Sequence, residues 1–548
     1  MDYFTVEGNL LDLDRREIYP AAITVQNGRI EEVKQIPRGG PDFILPGFVD
    51  AHVHIESSML LPSEFARLAT PHGTVATVSD PHEIGNVLGI EGIRYMMRNA
   101  KKTPLKVFFG APSCVPATVF ETAGAEVTDE DIESLFRDDG LLYLSEMMNY
   151  PGVIHKDQGV LKKIEVAKRY GRPIDGHAPG LTGKEAEEYF KAGISTDHEC
   201  FTLDEATFKA SLGVHILIRE GSAAKNFEAL HPLFKTHPRQ LMLCSDDKHP
   251  DDLLRGHINQ LAARCLAKGY PLFDVLEAAC RNPVRHYGLP VGQLKRGDPA
   301  DFIVVKDLKT LEVEKTYIDG QLVALKGKTT IQSVEEQPIN HFRIGKKQPK
   351  DFSLKSEGGK MRVISALPNE IVTDSLIAVP KVENGAVVSD VVNDILKIAV
   401  VNRYKEAPPA IGFIKGIGLK KGALAASVAH DSHNIIVVGV DDASITQAVN
   451  ALIAEGGGLS VAYADDVEVL SLPVAGLMSL RSGQEVASEY ERLNARAKSL
   501  GTPLYAPFMT LSFMALLVIP KLKMSDKGLF DGEAFKPASL FFDYATIV

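Results

Sequence analysis

Cysteine is scarce in this 548-residue chain: Cys114, Cys200, Cys244, Cys265 and Cys280, and none beyond position 280. No two form a Cys-x-x-Cys pair, so a disulfide framework or a thiolate zinc site is not expected, and reduced thiols in a cytoplasmic protein are. Missing too is any apolar run long enough to span a bilayer. The start, Met1-Asp2-Tyr3-Phe4, lacks the basic and apolar layout of a signal peptide. Positive charge is in deficit: 60 Lys and Arg stand against 71 Asp and Glu, a formal net charge of −11. Neither nucleic acid nor an anionic membrane is therefore an expected partner. Short-period repeats and low-complexity tracts are absent as well. What remains is an ordinary composition, 45% hydrophobic and 24% charged, in a chain long enough for two or three domains.

Along the chain, residues 1–45 read as short strands, with Asn27-Gly28 as a hairpin signal. From residue 43 the pattern changes to apolar strand, polar loop and amphipathic helix, repeated. The strands expected are Phe43–Asp50, Thr74–Ser79, Lys106–Phe109, Leu141–Ser145, Pro173–Asp175, Ile194–Thr196, Val214–Ile218 and Gln240–Cys244. Eight strands alternating with eight helices in about 225 residues is the arithmetic of an α/β fold of TIM type, a (β/α)8 barrel. Most strand runs are continuously apolar, as a parallel sheet covered by helices requires. Residues 302–330 resemble the first 45 in texture and are expected to complete the same β unit. The organisation predicted is a small β-domain from 1–45 and 285–335, a barrel over 46–284, and a C-terminal α/β or α+β domain over 360–548. Residues 332–360, polar and containing Gly358-Gly359, read as a linker.

In such a barrel the chemistry sits at the carboxyl ends of the strands. His52 and His54 end the first strand, and residues i and i+2 of an extended chain point the same way. The fourth strand ends at Glu146, the fifth at His177, the sixth at His198 and the eighth at Asp246. Any one of these has a bland reading as a loop or capping residue; Asp247 in particular reads as the cap of the next helix. All six at one rim are enough for a site holding two divalent metal ions. Glu146 can bridge the two, with a position left for water.

Longer motifs carry a resemblance. Pro46-Gly47-Phe48-Val49-Asp50-Ala51-His52-Val53-His54-Ile55-Glu56-Ser57-Ser58-Met59, Asp80-Pro81-His82-Glu83-Ile84, Glu146-Met147-Met148-Asn149-Tyr150-Pro151-Gly152-Val153 and Asp175-Gly176-His177-Ala178-Pro179-Gly180 lie in the barrel. Ile218-Arg219-Glu220-Gly221-Ser222 follows the seventh strand. Ala429-His430-Asp431-Ser432-His433-Asn434, Glu455-Gly456-Gly457-Gly458-Leu459 and Gly528-Leu529-Phe530-Asp531-Gly532 lie in the tail. Over nearly its whole length the chain resembles the adenine deaminase family of the amidohydrolase superfamily. The resemblance implies His52, His54, His177 and His198 as metal ligands, with Glu146 as bridging carboxylate where many relatives of the superfamily carry a carboxylated lysine. Asp246 is implied as both metal ligand and acceptor of the attacking water's proton. Manganese is the metal the family suggests, and iron and zinc suit the same oxygen and imidazole donors. Implied as well are a small purine base as substrate, attacked at C6 by metal-activated hydroxide in purine salvage, and assembly as a homo-oligomer, a dimer.

Charge building on the ring calls for a proton donor at the purine N1. Glu56 is the first candidate, with Glu199 and Glu220 behind it. Arg219 either orients the base or pairs with Glu220, and His82 either lines the pocket or serves the next helix. His430 and His433 either close over the pocket or form a structural turn. A rival enzyme is a dihydroorotase-like ring opener, whose substrate carboxylate would want a basic residue where Glu56 stands. A barrel kept as a scaffold is the non-enzymatic rival, and it would have lost ligands that this chain retains.

Overall fold

Gly47 divides what the sequence presents as a single strand. In the computed structural model, which describes residues 3–368 and 370–542, Phe43–Pro46 and Phe48–Val53 belong to different sheets. The chain turns through Gly47 against Val75, whose Cγ1 would lie 2.2 Å from any Cβ placed there. No side chain fits at that crossing.

Phe43–Pro46 pairs in parallel with Tyr3–Asp12 and antiparallel with Phe302–Val305. It thereby joins the strands at the start of the chain to Val313–Ile318, Gln321–Leu325 and Lys328–Thr329 in one eight-stranded sheet. Val6, Leu10, Ile23, Ile44, Phe302 and Tyr317 form its own apolar cluster.

Phe48–Val53 opens the barrel. Its neighbours are Thr74–Ser79 and then Lys106–Phe109, all parallel. Leu144–Met147 joins through an Ala111–Leu144 bridge and pairs with Ile174–Gly176. Ser195 donates its N–H to Ile174 O at 2.9 Å, leading to Thr196–Asp197, His215–Arg219 and Leu241–Cys244. A parallel bridge from Asp246 back to Val53 closes the ring. The first, second and eighth strands are buried at every position, as parallel strands wrapped by helices must be. The (β/α)8 barrel expected from the alternation is the fold observed.

From Thr330 to Gln348 the chain forms no helix or strand, yet it is held. Tyr95 Oη donates to Gln337 O at 2.8 Å, and the Ala475 N–H donates to Ile339 O at 2.7 Å. The expected linker is a strap laid across a barrel helix and the C-terminal domain. Beyond it, eight strands run in the order Thr373–Ala378, Lys360–Ala366, Ala410–Lys415, Ile395–Val401, Ile435–Gly439, Ala423–Ala426, Gly458–Tyr463, Asp466–Ser471, and Phe541–Phe542 adds to Lys360–Ala366 as a ninth. Helices Asp442–Glu455 and Gly483–Ser499 pack beside the sheet, each started by a side-chain cap, Asp441 and Ser482. This region is not detached: the loop 429–434 and Phe513 reach the barrel rim. Among the described residues no helix is long and apolar enough to cross a membrane.

Candidate metal centre

Three carboxylates one layer below the rim set the strand ends. Asp50 accepts the Ser245 N–H at 3.0 Å and lies 2.8 Å from His257 Nε2, tying the first strand to the eighth just beneath His52. Asp175 accepts from Thr196 Oγ1 at 2.9 Å and from Tyr287 Oη at 2.9 Å, below His177. Asp197 accepts the Glu199 N–H at 2.8 Å and is paired with buried Lys209 at 2.8 Å, below His198. Tyr189 Oη receives the His177 N–H at 3.0 Å and donates to Met147 O at 2.7 Å. Each histidine thus stands on a strand end that polar bonds lock in place, which is what a precise ligand geometry needs.

The six expected rim residues converge. His52 Nε2 and His54 Nε2 are 3.1 Å apart, and Asp246 Oδ1 lies 3.5 Å from the first and 3.4 Å from the second. Glu146 faces His54 with Oε1 at 3.4 Å. Its Oε2 faces His177 Nδ1 at 2.7 Å and His198 Nε2 at 3.0 Å. One carboxylate therefore stands between two groups of imidazoles. All six are buried. His52 Nδ1, His54 Nδ1 and His177 Nε2 have no hydrogen-bond partner. Two imidazole nitrogens held 3.1 Å apart in a buried site, beside carboxylates and orphaned ring atoms, are a donor set suited to divalent cations.

The electrostatics follow the same geometry. Burial by itself would raise Asp246, but Arg219, His52 and His54 outweigh it and hold the carboxyl well below its usual range. Burial would likewise raise Glu146, and His177 and His198 reverse that. Burial pushes the Glu56 carboxyl up to about 7. Its Oε1 accepts the Ile84 N–H at 3.3 Å, while Oε2 has no partner.

The remaining candidates separate. Arg219 does not pair with Glu220; it binds Glu199 through both terminal nitrogens and reaches Asp246 Oδ2 at 2.6 Å. Glu220 turns outward to Arg264 at 2.7 Å, because Arg219 and Glu220 alternate sides at the strand end. Asp247 is not a helix cap, since the next helix starts at Pro250 after His249; its Oδ1 accepts from Ser57 Oγ. His82, Glu199 and Arg219 line the rim pocket, while Glu56 and Glu220 stand outside its wall. The sequence leaves His430 and His433 open and does not single out Glu83 or Asp431; all of these but His433 line the pocket. His430 Nδ1 lies 2.7 Å from Glu83 Oε1, and His433 pairs with the other oxygen of Glu83. The motifs Ala429–Asn434 and Asp80–Ile84 contain them, but only the fold brings residue 430 beside residue 83.

Ile371, Phe513 and Leu516 cap the pocket, leaving a free volume of only about 20 Å3. A neighbouring cavity of about 290 Å3 shares Glu199, Arg219 and Ile371 with it and also meets Phe201, Lys225 and Leu367. A cavity of about 320 Å3 between residues 97–109 and 139–142 lies away from the rim and contains none of these side chains.

A barrel whose rim gathers imidazoles around a central carboxylate defines a metal-dependent hydrolase, and residues 43–323 match the model of the amidohydrolase family, which implies a divalent metal. Residues 370–536 match that of the adenine deaminase C-terminal domain. The chain belongs to the adenine deaminase family. Curated adenine deaminases of Sulfurovum sp., Salinibacter ruber and Methanosarcina barkeri are 55%, 52% and 52% identical to it. They cover 97%, 98% and 98% of this chain and 98%, 99% and 99% of their own lengths.

Proposed function

We propose that this chain hydrolyses free adenine to hypoxanthine and ammonia. The observation that carries the reading is the convergence of His52, His54, Glu146, His177, His198 and Asp246 in a chain similar to adenine deaminases over nearly its full length. In this reading residues 46–284 are the metal-binding barrel, 1–45 with 285–335 the β-domain, and 360–548 the domain that covers the pocket. Those six residues would hold two divalent ions, manganese first, which would supply a water activated as nucleophile near neutrality.

The chain's own residues do the rest. Asp246 takes the water's proton and passes it toward the departing ammonia. Arg219 keeps that carboxylate aimed, and because it also grips Glu199, its charge stays compensated while Asp246 carries a proton. Of the expected donors to the ring, Glu199 lines the pocket but is held ionised by Arg219, whereas burial keeps the Glu56 carboxyl protonated to about pH 7 behind the wall, so its proton would reach the ring through an intervening pocket group. His82 and Arg219 flank the base. Glu220, facing Arg264, has at most an indirect effect on substrate. Ile371, Phe513 and Leu516 exclude water, and with about 20 Å3 free, the cover must shift for a purine to enter. Five buried free thiols support a reducing, cytoplasmic setting. Dimeric assembly rests on the family alone. Incubation with adenine, adenosine and dihydroorotate, following ammonia and ring opening, tests the reading. Ring opening without ammonia release would overturn it.

A further inference from the structure

Beside the six rim residues, and facing the C-terminal domain, lies a second group of donors that the proposed two-ion site does not use. His82 Nε2 is 3.6 Å from Glu83 Oε1 and 3.7 Å from Asp431 Oδ1. These three side chains are 3%, 2% and 2% exposed. The separations are too long for hydrogen bonds. They are close to the spacing of donors that share one cation, since ligands about 2.1 Å from a metal sit roughly 3.0–3.6 Å from one another: His82–Glu83 lies at the upper end of that span and His82–Asp431 just beyond it.

The surroundings prepare each donor. Asp80 Oδ2 lies 3.1 Å and Glu146 Oε1 3.5 Å from His82 Nδ1, so carboxylates flank one ring nitrogen while the other faces Glu83 and Asp431. His430 Nδ1, 2.7 Å from Glu83 Oε1, and His433, on the other oxygen, hold Glu83 in place. Asp431 Oδ2 is buried without a partner. One imidazole with two carboxylates is a donor set for manganese, iron or zinc.

We infer that His82, Glu83 and Asp431 form a third divalent-cation site, distinct from the pair at the rim, which fastens the loop 429–434 to the barrel beside the substrate pocket. The site rests on the reading of the rim as a metal centre only in sharing its wall. Its role is to tie the loop 429–434 to the barrel, because two of its ligands come from the barrel and one from the C-terminal domain.

The experiment is anomalous diffraction at the manganese edge from crystals of the full-length enzyme prepared with manganese, together with metal content per chain. The expected result is a peak enclosed by His82, Glu83 and Asp431 in addition to those at the rim, and about three ions per chain. In Asp431→Asn and Glu83→Gln that peak should vanish and the content fall toward two, with the rim peaks kept. Rim peaks with nothing between these three residues overturn the third site and leave the two-ion reading standing. A peak at the third site with an empty rim does the opposite. A peak enclosed by His54, Asp80, His82 and Glu146 also overturns it, since His82 would then belong to the rim. If the variants fail to fold, the wild-type map alone decides.

Discussion

Replacing Asp246 by asparagine separates proton transfer from architecture, and the structure sets the size of both effects. Asp246 Oδ2 accepts from Arg219 at 2.6 Å in a fully buried setting, a charge-assisted bond of about 1.5–3 kcal/mol. Asparagine retains an oxygen that can accept from the guanidinium, and Arg219 remains paired with Glu199, so no buried charge is stranded. The loss of stability should therefore be about 1–2 kcal/mol, and the barrel should still fold. The loss of rate should be larger. An amide cannot take up the water's proton, and removing a general base lowers turnover by roughly a hundredfold or more, about 2.7 kcal/mol or above in activation free energy. Ammonia release at saturating adenine, measured beside metal content and thermal unfolding, distinguishes the two. A folded, metal-loaded variant working near the wild-type rate would refute the assignment and move the proton to Glu56 or Glu199.

Glu146→Gln should do the reverse, losing at least one ion before any defect in folding, because a neutral amide bridges two cations poorly; metal analysis after dialysis checks this, and full retention of two ions counts against the bridge. Adenosine should be turned over far more slowly than adenine, since Ile371, Phe513 and Leu516 must close again over whatever is bound and a ribose adds bulk beneath them; equal rates on the two would show that the cover does not select. Gly47→Ala should destabilise the chain by about 1–3 kcal/mol or more through the clash with Val75, read as a lowered unfolding temperature with unaltered metal content. Lys523 donates to Ile371 O at 2.6 Å and Phe513 O at 2.9 Å, and burial lowers its pKa from 10.5 to about 7. Between pH 7 and about 10.5 the unfolded chain binds the extra proton, so stability contributed by this group rises with pH across that window. Lys523→Met should remove that rise, and identical pH profiles for variant and wild type would mean that the amine is not desolvated as described.

Local rules made much of the centre legible in the linear chain. Alternation along an extended strand puts His52 and His54 on one side. Parallel barrel architecture places Glu146, His177, His198 and Asp246 at the same rim, because every strand there ends facing the same way. Apolar runs such as Leu241–Cys244 are readable because their burial needs no particular partner. Three features were decided by tertiary structure. The break at Gly47 depends on Val75, brought there by the second strand. The partners of Arg219 depend on which carboxylates the sixth and eighth strands present, which is why Glu199 and Asp246 take it and Glu220 is left to Arg264. The meeting of Glu83 with His430 and His433 joins residues about 350 positions apart. No periodicity encodes such a contact; it exists because the C-terminal domain folds back over the barrel and buries polar groups that then have only one another to satisfy them.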